Sequence, residues 1–176
     1  MDEWIEDDLA LLGGLESPRS SSRVLDGGTL RQPVRILVPR PPIALPKDAP
    51  VREVIRIMRQ ERIGCVLVVE DGVLVGIVTE RDLLLKLEGH LDQQVAALMT
   101  PDPETLTEDA PIAWALNKMS IGGFRHVPLV DGAGHPVGIV SVKDIVDYLV
   151  DLFPNDVLTV PPDPRRGDNW RGRDGG

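Results

Sequence analysis

Two stretches of the chain carry the same helical stripe. In DAPVREVIRIM (Asp48 to Met58), Val51, Val54, Ile55 and Met58 stand at i, i+3, i+4 and i+7. In DAPIAWALNKM (Asp109 to Met119), Ile112, Ala115, Leu116 and Met119 repeat that spacing, and the step from Asp48 to Asp109 is 61 residues. Apolar residues so spaced line one face of a helix. Each stretch therefore predicts an amphipathic helix, with Asp48 or Asp109 as its N-cap and Pro in its first turn.

A second pattern follows each helix. CVLVVEDGVLVGIVT (Cys65 to Thr79) and HVPLVDGAGHPVGIVS (His126 to Ser141) read as strand, turn and strand, with Asp71-Gly72 and Asp131-Gly132 as hairpin signals. Cys65 and His126 are 61 residues apart, and Gly76 and Gly138 are 62 apart, so one inserted residue falls in the turn. Apolar helices follow, RDLLLKL and KDIVDYLVDLF, and short strands precede, PPIAL and PETLT. The predicted fold is α/β: two β-α-β-β-α units packed with pseudo-twofold symmetry. One such unit makes a marginal core alone, and two can bury their faces against each other.

The post-hairpin helices are more apolar than one core face requires. Leu83, Leu84, Leu85 and Leu87 go most of the way round the first, and Ile145, Val146, Tyr148, Leu149, Val150, Leu152 and Phe153 do so in the second. Cover by the other repeat or by a second chain is expected, hence a homodimer. The flanks lack periodicity. The expected division is a mobile segment over 1–35, repeats over 36–98 and 99–156, and a mobile tail over 157–176. Trp4 to Leu12 reads as a short amphipathic helix or a frayed acidic terminus. Arg166-Gly167-Asp168 reads as a chance match to an adhesion motif.

Composition narrows the function classes. Aromatics are 3% of the chain and hydrophobics 42%, so the core is aliphatic. A net charge of −9 without a basic stripe argues against nucleic acid and anionic lipid. The single cysteine, Cys65, excludes an intrachain disulfide and a multi-cysteine zinc site. The acidic start lacks the basic region of a signal peptide, and no apolar run reaches spanning length, so a cytoplasmic protein without membrane insertion is expected. Cys65 reads as a buried inert thiol, His90 and His135 as surface histidines, and Glu80, Arg59 and Arg62 as a solvated face.

The candidate chemistry lies where each hairpin meets its second helix. GIVTERDLL (Gly76 to Leu84) returns as GIVSVKDIV (Gly138 to Val146). A hydroxyl residue with an acid three positions on is a capping-box pattern. The same helix start also offers N–H groups and a positive dipole end to a phosphate. Thr79 or Ser141 would bond a phosphate oxygen, Asp82 or Asp144 a ribose diol, and Arg81 or Lys143 would add charge. Both readings are open on this pattern.

The repeated motifs and the linker LMTPDPETL (Leu98 to Leu106) resemble a tandem pair of cystathionine-β-synthase (CBS) domains over roughly residues 36–155. The resemblance implies a Bateman module whose clefts bind AMP, ADP, ATP or S-adenosylmethionine. It implies Thr79 and Asp82 in one pocket and Ser141 and Asp144 in the other. It adds Ile43, Ala44 and Leu45 with Cys65 and Val66 from the first repeat. From the second it adds Thr100, Thr105 and Leu106 with His126 and Val127, and Arg125 and His126 as groups facing phosphates. The copies differ: the first has Gly64-Cys65 where the second has Arg125-His126, and Pro39 aligns with Thr100. The implied function is a non-enzymatic, homodimeric sensor of an adenosine nucleotide that acts on a partner by population shift. The alternative is a ligand-independent subunit that docks on an enzyme or transporter.

Overall fold

The structure, a computed structural model, describes residues 27–87 and 91–153. The Trp4 to Leu12 segment, His90, Arg166 to Asp168 and the predicted tail over 157–176 lie outside the described residues. A short helix α1 (Gly27–Arg31) and a 3-10 turn (Val34–Leu37) lead in. The first repeat is β1 (Ala44–Pro46), α2 (Val51–Glu61), β2 (Cys65–Glu70), β3 (Val73–Thr79) and α3 (Glu80–Lys86). A 3-10 turn (Val95–Ala97) and β4 (Thr100–Pro101) make the linker. The second repeat is α4 (Ile112–Gly122), β5 (His126–Val130), β6 (Pro136–Ser141) and α5 (Val142–Leu152).

Three of the four positions in each predicted stripe are buried, while Ile55 and Leu116 are half-buried. Val51, Val54 and Met58 of α2 and Ile112, Ala115 and Met119 of α4 lie in the interior. The predicted caps are corrected: the N-cap positions are Pro50 and Pro111, and neither makes a side-chain cap bond. Asp48 and Asp109 stand in the turns before. Main-chain carbonyls take over the capping, because Val51 N–H donates to Gln93 O at 3.0 Å and Ile112 N–H to Gln32 O at 2.9 Å. These two helix donors are thus satisfied without a side chain.

Asp71 and Gly72 both have positive φ, 51° and 83°, the signature of a two-residue type I′ hairpin turn. The second turn is longer, and its left-handed residue is Gly134 (φ 87°) rather than Gly132. Asp131 organises it, accepting from Ala133 N–H at 2.8 Å and His135 N–H at 2.9 Å.

In the first sheet β1 runs parallel to β2, and β2, β3 and β4 are antiparallel in that order. The second repeat has the β5–β6 hairpin, and its predicted leading strand shrinks to one parallel bridge between Leu106 and Leu129. Pro128 explains the loss. Its counterpart Leu67 donates its N–H to Ile43 O at 2.9 Å, and proline has no N–H to give.

Side chains of β2 alternate between two interiors. Val66 and Val68 join α2 in the first core, while Cys65 and Leu67 join Ile77 in a small cluster that also takes Ile139 from the second repeat. The second core is built on Ile112, Val127, Leu129, Val140 and Ile145.

The lead-in segments exchange. Val34, from before the first repeat, is buried in the second core, and Val95, from before the second repeat, is buried in the first. Val34 N–H donates to Ala110 O and Val95 N–H to Ala49 O, each at 2.8 Å. Likewise β4 pairs with β3, and Arg40 bridges to Ile139 of β6. Residues 27–35, expected within a mobile segment, therefore form a helix and the start of a turn that close the second repeat.

Candidate functional site

Both repeated motifs build a capping box. Thr79 Oγ1 accepts from Asp82 N–H at 3.3 Å, and Asp82 Oδ2 accepts from Thr79 N–H at 2.9 Å and from its hydroxyl at 2.6 Å. Ser141 and Asp144 repeat these bonds at 3.3, 2.7 and 2.7 Å. The strand end and helix start are thus locked into one geometry twice, as the capping reading expects.

The outer carboxylate oxygens differ. Asp82 Oδ1 accepts from Lys86 Nζ at 2.7 Å, and that ammonium also donates to Leu98 O at 2.9 Å. Asp82 is buried, at 9% exposure. Burial pushes its carboxyl up, but the hydrogen bonds from Lys86 and Thr79 outweigh this and hold it below the ordinary aspartate range. One turn beyond Asp144 the corresponding residue is Tyr148, which packs against the second core. Asp144 is half-buried, and its Oδ1 has no hydrogen-bond partner among the described residues.

Two clefts open at these helix starts. One, of about 510 Å³, contains Ser141, Lys143 and Asp144 with Ile43, Cys65, Arg40, Arg62, Arg125 and His126. The other, of about 590 Å³, contains Thr79, Arg81 and Asp82 with Thr100, Asp102, Glu104, Arg125 and His126. Each motif therefore faces strand-start residues of the opposite repeat: Cys65 sits with Ser141, and His126 with Thr79. Gly64, Glu80, Arg125 and His126 border both clefts.

Charge separates the clefts. Arg40, Arg62, Arg125 and Lys143 meet Glu61, Glu80 and Asp144 in the first. In the second, Arg81 and Arg125 meet Glu80, Asp82, Asp102 and Glu104. Ion pairs temper two of these groups, Lys143 with Asp147 and Glu104 with Lys118.

Not every predicted position reaches a cleft. Val66, Val127 and Leu106 are buried in the cores, Leu45 packs on the first core, and Ala44 packs on the Cys65 cluster. Thr105 borders neither cleft. Arg40, Arg62 and Glu80 were not among the predicted site residues and do line clefts; Arg62 and Glu80 are not merely a solvated face. Arg40 is legible in retrospect, one residue past Pro39, the counterpart of Thr100.

Burial pushes the Cys65 thiol up to about 12, with Glu80 adding to the effect, so it is protonated and unreactive at neutral pH. Burial first, and then the Arg125 charge, holds His126 below its ordinary value of 6.5, against the opposing pull of Asp144 and Glu80. The imidazole is therefore neutral at neutral pH. Among the described residues no group of three or more His, Cys, Asp or Glu is placed to hold a metal, and no helix is long and apolar enough to cross a membrane.

The sequence model of the CBS domain matches residues 36–89 and again 95–151. The chain belongs to the CBS domain family. Its tandem units make it a Bateman module, and CBS domains are regulatory and non-catalytic. The CBS domain pair of protein MJ0100, solved in complex with 5′-methylthioadenosine and S-adenosyl-L-methionine, is 29% identical with a TM-score of 0.63, covering 67% of this chain and 99% of that one. CBS domain protein PAE2072 from Pyrobaculum aerophilum, complexed with AMP, is 29% identical with a TM-score of 0.61, covering 68% and 97%.

Among curated relatives, an uncharacterized 17.7 kDa protein of Acidianus ambivalens is 34% identical over 104 residues, 58% of this chain and 63% of its own length. Inosine-5′-monophosphate dehydrogenase of Thermoplasma acidophilum is 34% identical over 99 residues, 56% of this chain but 20% of its length. The matched stretch thus spans under two-thirds of one relative and a fifth of the other.

Proposed function

We propose that this CBS pair senses an adenosine-containing ligand, AMP, ADP, ATP or S-adenosylmethionine, in the cleft of Ser141 and Asp144. The observation that carries this reading is the open Asp144 Oδ1 in a cleft that also holds Arg40, Arg125 and His126. A carboxylate with an unused oxygen accepts from both hydroxyls of a ribose. Phosphates meet the basic side chains and the α5 N-terminus. The ligands of the CBS pairs of MJ0100 and PAE2072 support the adenosine class.

Because the cleft takes residues from both repeats, ligand bridges them and favours one relative arrangement. That arrangement is what a partner enzyme or transporter reads. Moving such an equilibrium from 1:99 to 99:1 requires about 5.5 kcal/mol of differential affinity. A few charge-assisted hydrogen bonds at roughly 1.5–3 kcal/mol each supply it.

Leu84 and its counterpart Val146, and Trp114 and Ile121 of α4, are exposed in the single chain. A second copy covering them makes the homodimer, and Leu84→Lys with Ile121→Lys converts it to a monomer by light scattering.

Titration calorimetry with AMP, ADP, ATP and S-adenosylmethionine tests the sensor. Asp144→Asn weakens binding roughly 10- to 150-fold. Absence of binding by all four at millimolar concentration would refute the sensor and leave a ligand-independent docking subunit.

A further inference from the structure

We infer that Lys86 latches the ribose carboxylate Asp82 and so disables the Asp82 cleft, so that each chain holds one adenosine ligand and not two. The inference rests on the reading above, that the motif carboxylate clamps ribose.

Three observations converge. Both Asp82 oxygens are engaged: Oδ2 by the main chain and hydroxyl of Thr79, Oδ1 by Lys86 Nζ at 2.7 Å. The ammonium is anchored a second time, on Leu98 O at 2.9 Å, and Leu98 is itself buried in the linker. A ribose hydroxyl must therefore displace a charge-assisted bond, roughly twice as strong as a neutral one. It must also strip a carbonyl of its donor.

The second repeat supplies the internal control. The residue one turn past Asp144 is Tyr148, whose ring packs on the core and leaves Asp144 Oδ1 open. One substitution between the repeats separates a latched clamp from an open one. Electrostatics acts in the same direction. The latched cleft is lined by four acidic and two basic side chains and the open cleft by three acidic and four basic, before Lys86, Lys118 and Asp147 pair with Asp82, Glu104 and Lys143.

Lys86 is thus a specificity-determining residue that touches no ligand. It also ties α3 to the linker, standing in for the bridge a ligand would make on that side.

The probe is 5′-methylthioadenosine, which has the ribose diol and no phosphate, so the acidic lining does not obscure the result. Calorimetry on the intact chain gives one equivalent for the unaltered protein and two for Lys86→Met, which keeps the aliphatic stem and removes the charge. Adding Asp82→Asn to Lys86→Met returns the count to one, and adding Asp144→Asn instead leaves only the Asp82 cleft filled. Lys86→Gln is the second variant, and hydrogen exchange over residues 80–87 reports that α3 is intact in both.

Two equivalents in the unaltered protein overturn the inference. So does a single equivalent in Lys86→Met and Lys86→Gln with α3 protected as before. No binding before and one equivalent after the substitution supports the latch while removing the Asp144 reading. No binding by any variant overturns both.

Discussion

Met99 lies across Gly76 so closely that a Cβ on the glycine would stand 2.5 Å from Met99 Sδ and 3.2 Å from the Thr100 carbonyl. The counterpart Gly138 faces Pro39 in the same way, at 3.2 Å from its Cβ. The glycine of each Gly-Ile-Val is where the other repeat's lead-in crosses the sheet. Gly76→Ala should lower stability by about 1–3 kcal/mol, the cost of overpacking. Urea unfolding reads it as a lower midpoint at unchanged slope. Combining it with Met99→Ala should cost less than the two separately; simple additivity would refute the crossing as the cause.

Arg62 ends α2 in the left-handed region at φ 54°, where its counterpart in α4 is Gly123 at φ 67°. A side chain there costs about 1 kcal/mol. Arg62→Gly should raise the melting temperature and weaken AMP binding, because the lost guanidinium lines the Asp144 cleft. A stabilised variant with unchanged affinity would remove Arg62 from the site.

Asp82 titrates below the ordinary aspartate value of 3.8 in the folded chain. Its contribution to stability is therefore complete above that value and is lost as pH falls through the folded one. Asp82→Asn should be less stable than the unaltered protein at pH 7, with the gap closing under acid. A gap that persists in acid would mean that the asparagine disturbs packing and not charge.

His126 is neutral at neutral pH, held below 6.5 by burial and Arg125. An anionic phosphate beside it would raise the folded value, so AMP bound in the proposed cleft should take up a proton. Affinity should rise as pH falls from 7 toward 6, more steeply than in His126→Gln, which corrects for titration of the phosphate itself. Equal slopes in the two proteins would place the phosphate away from the imidazole.

Much of this architecture is written locally. Val51, Val54 and Met58, and Ile112, Ala115 and Met119, predict their helices because a buried stripe needs only a 3.6-residue period. Asp71-Gly72 predicts its turn because two successive left-handed residues favour such a pair. Thr79-x-x-Asp82 and Ser141-x-x-Asp144 predict their capping boxes because the bonds span three residues. Asp48 and Asp109 misled, since the true caps are carbonyls from segments distant along the chain, Gln93 and Gln32.

By itself the sequence determined two copies of one unit and the capping box each carries. Only the tertiary structure decided that the copies exchange lead-ins, with Val34 serving the second core and Val95 the first. That exchange follows from backbone bonds between segments far apart in the chain, which no local period encodes. It also decided which motif is open. Lys86 and Tyr148 occupy matching helical positions. Whether a side chain there reaches the carboxylate or turns into the core depends on what packs beside it: the Leu98 carbonyl in one repeat, an aliphatic core in the other.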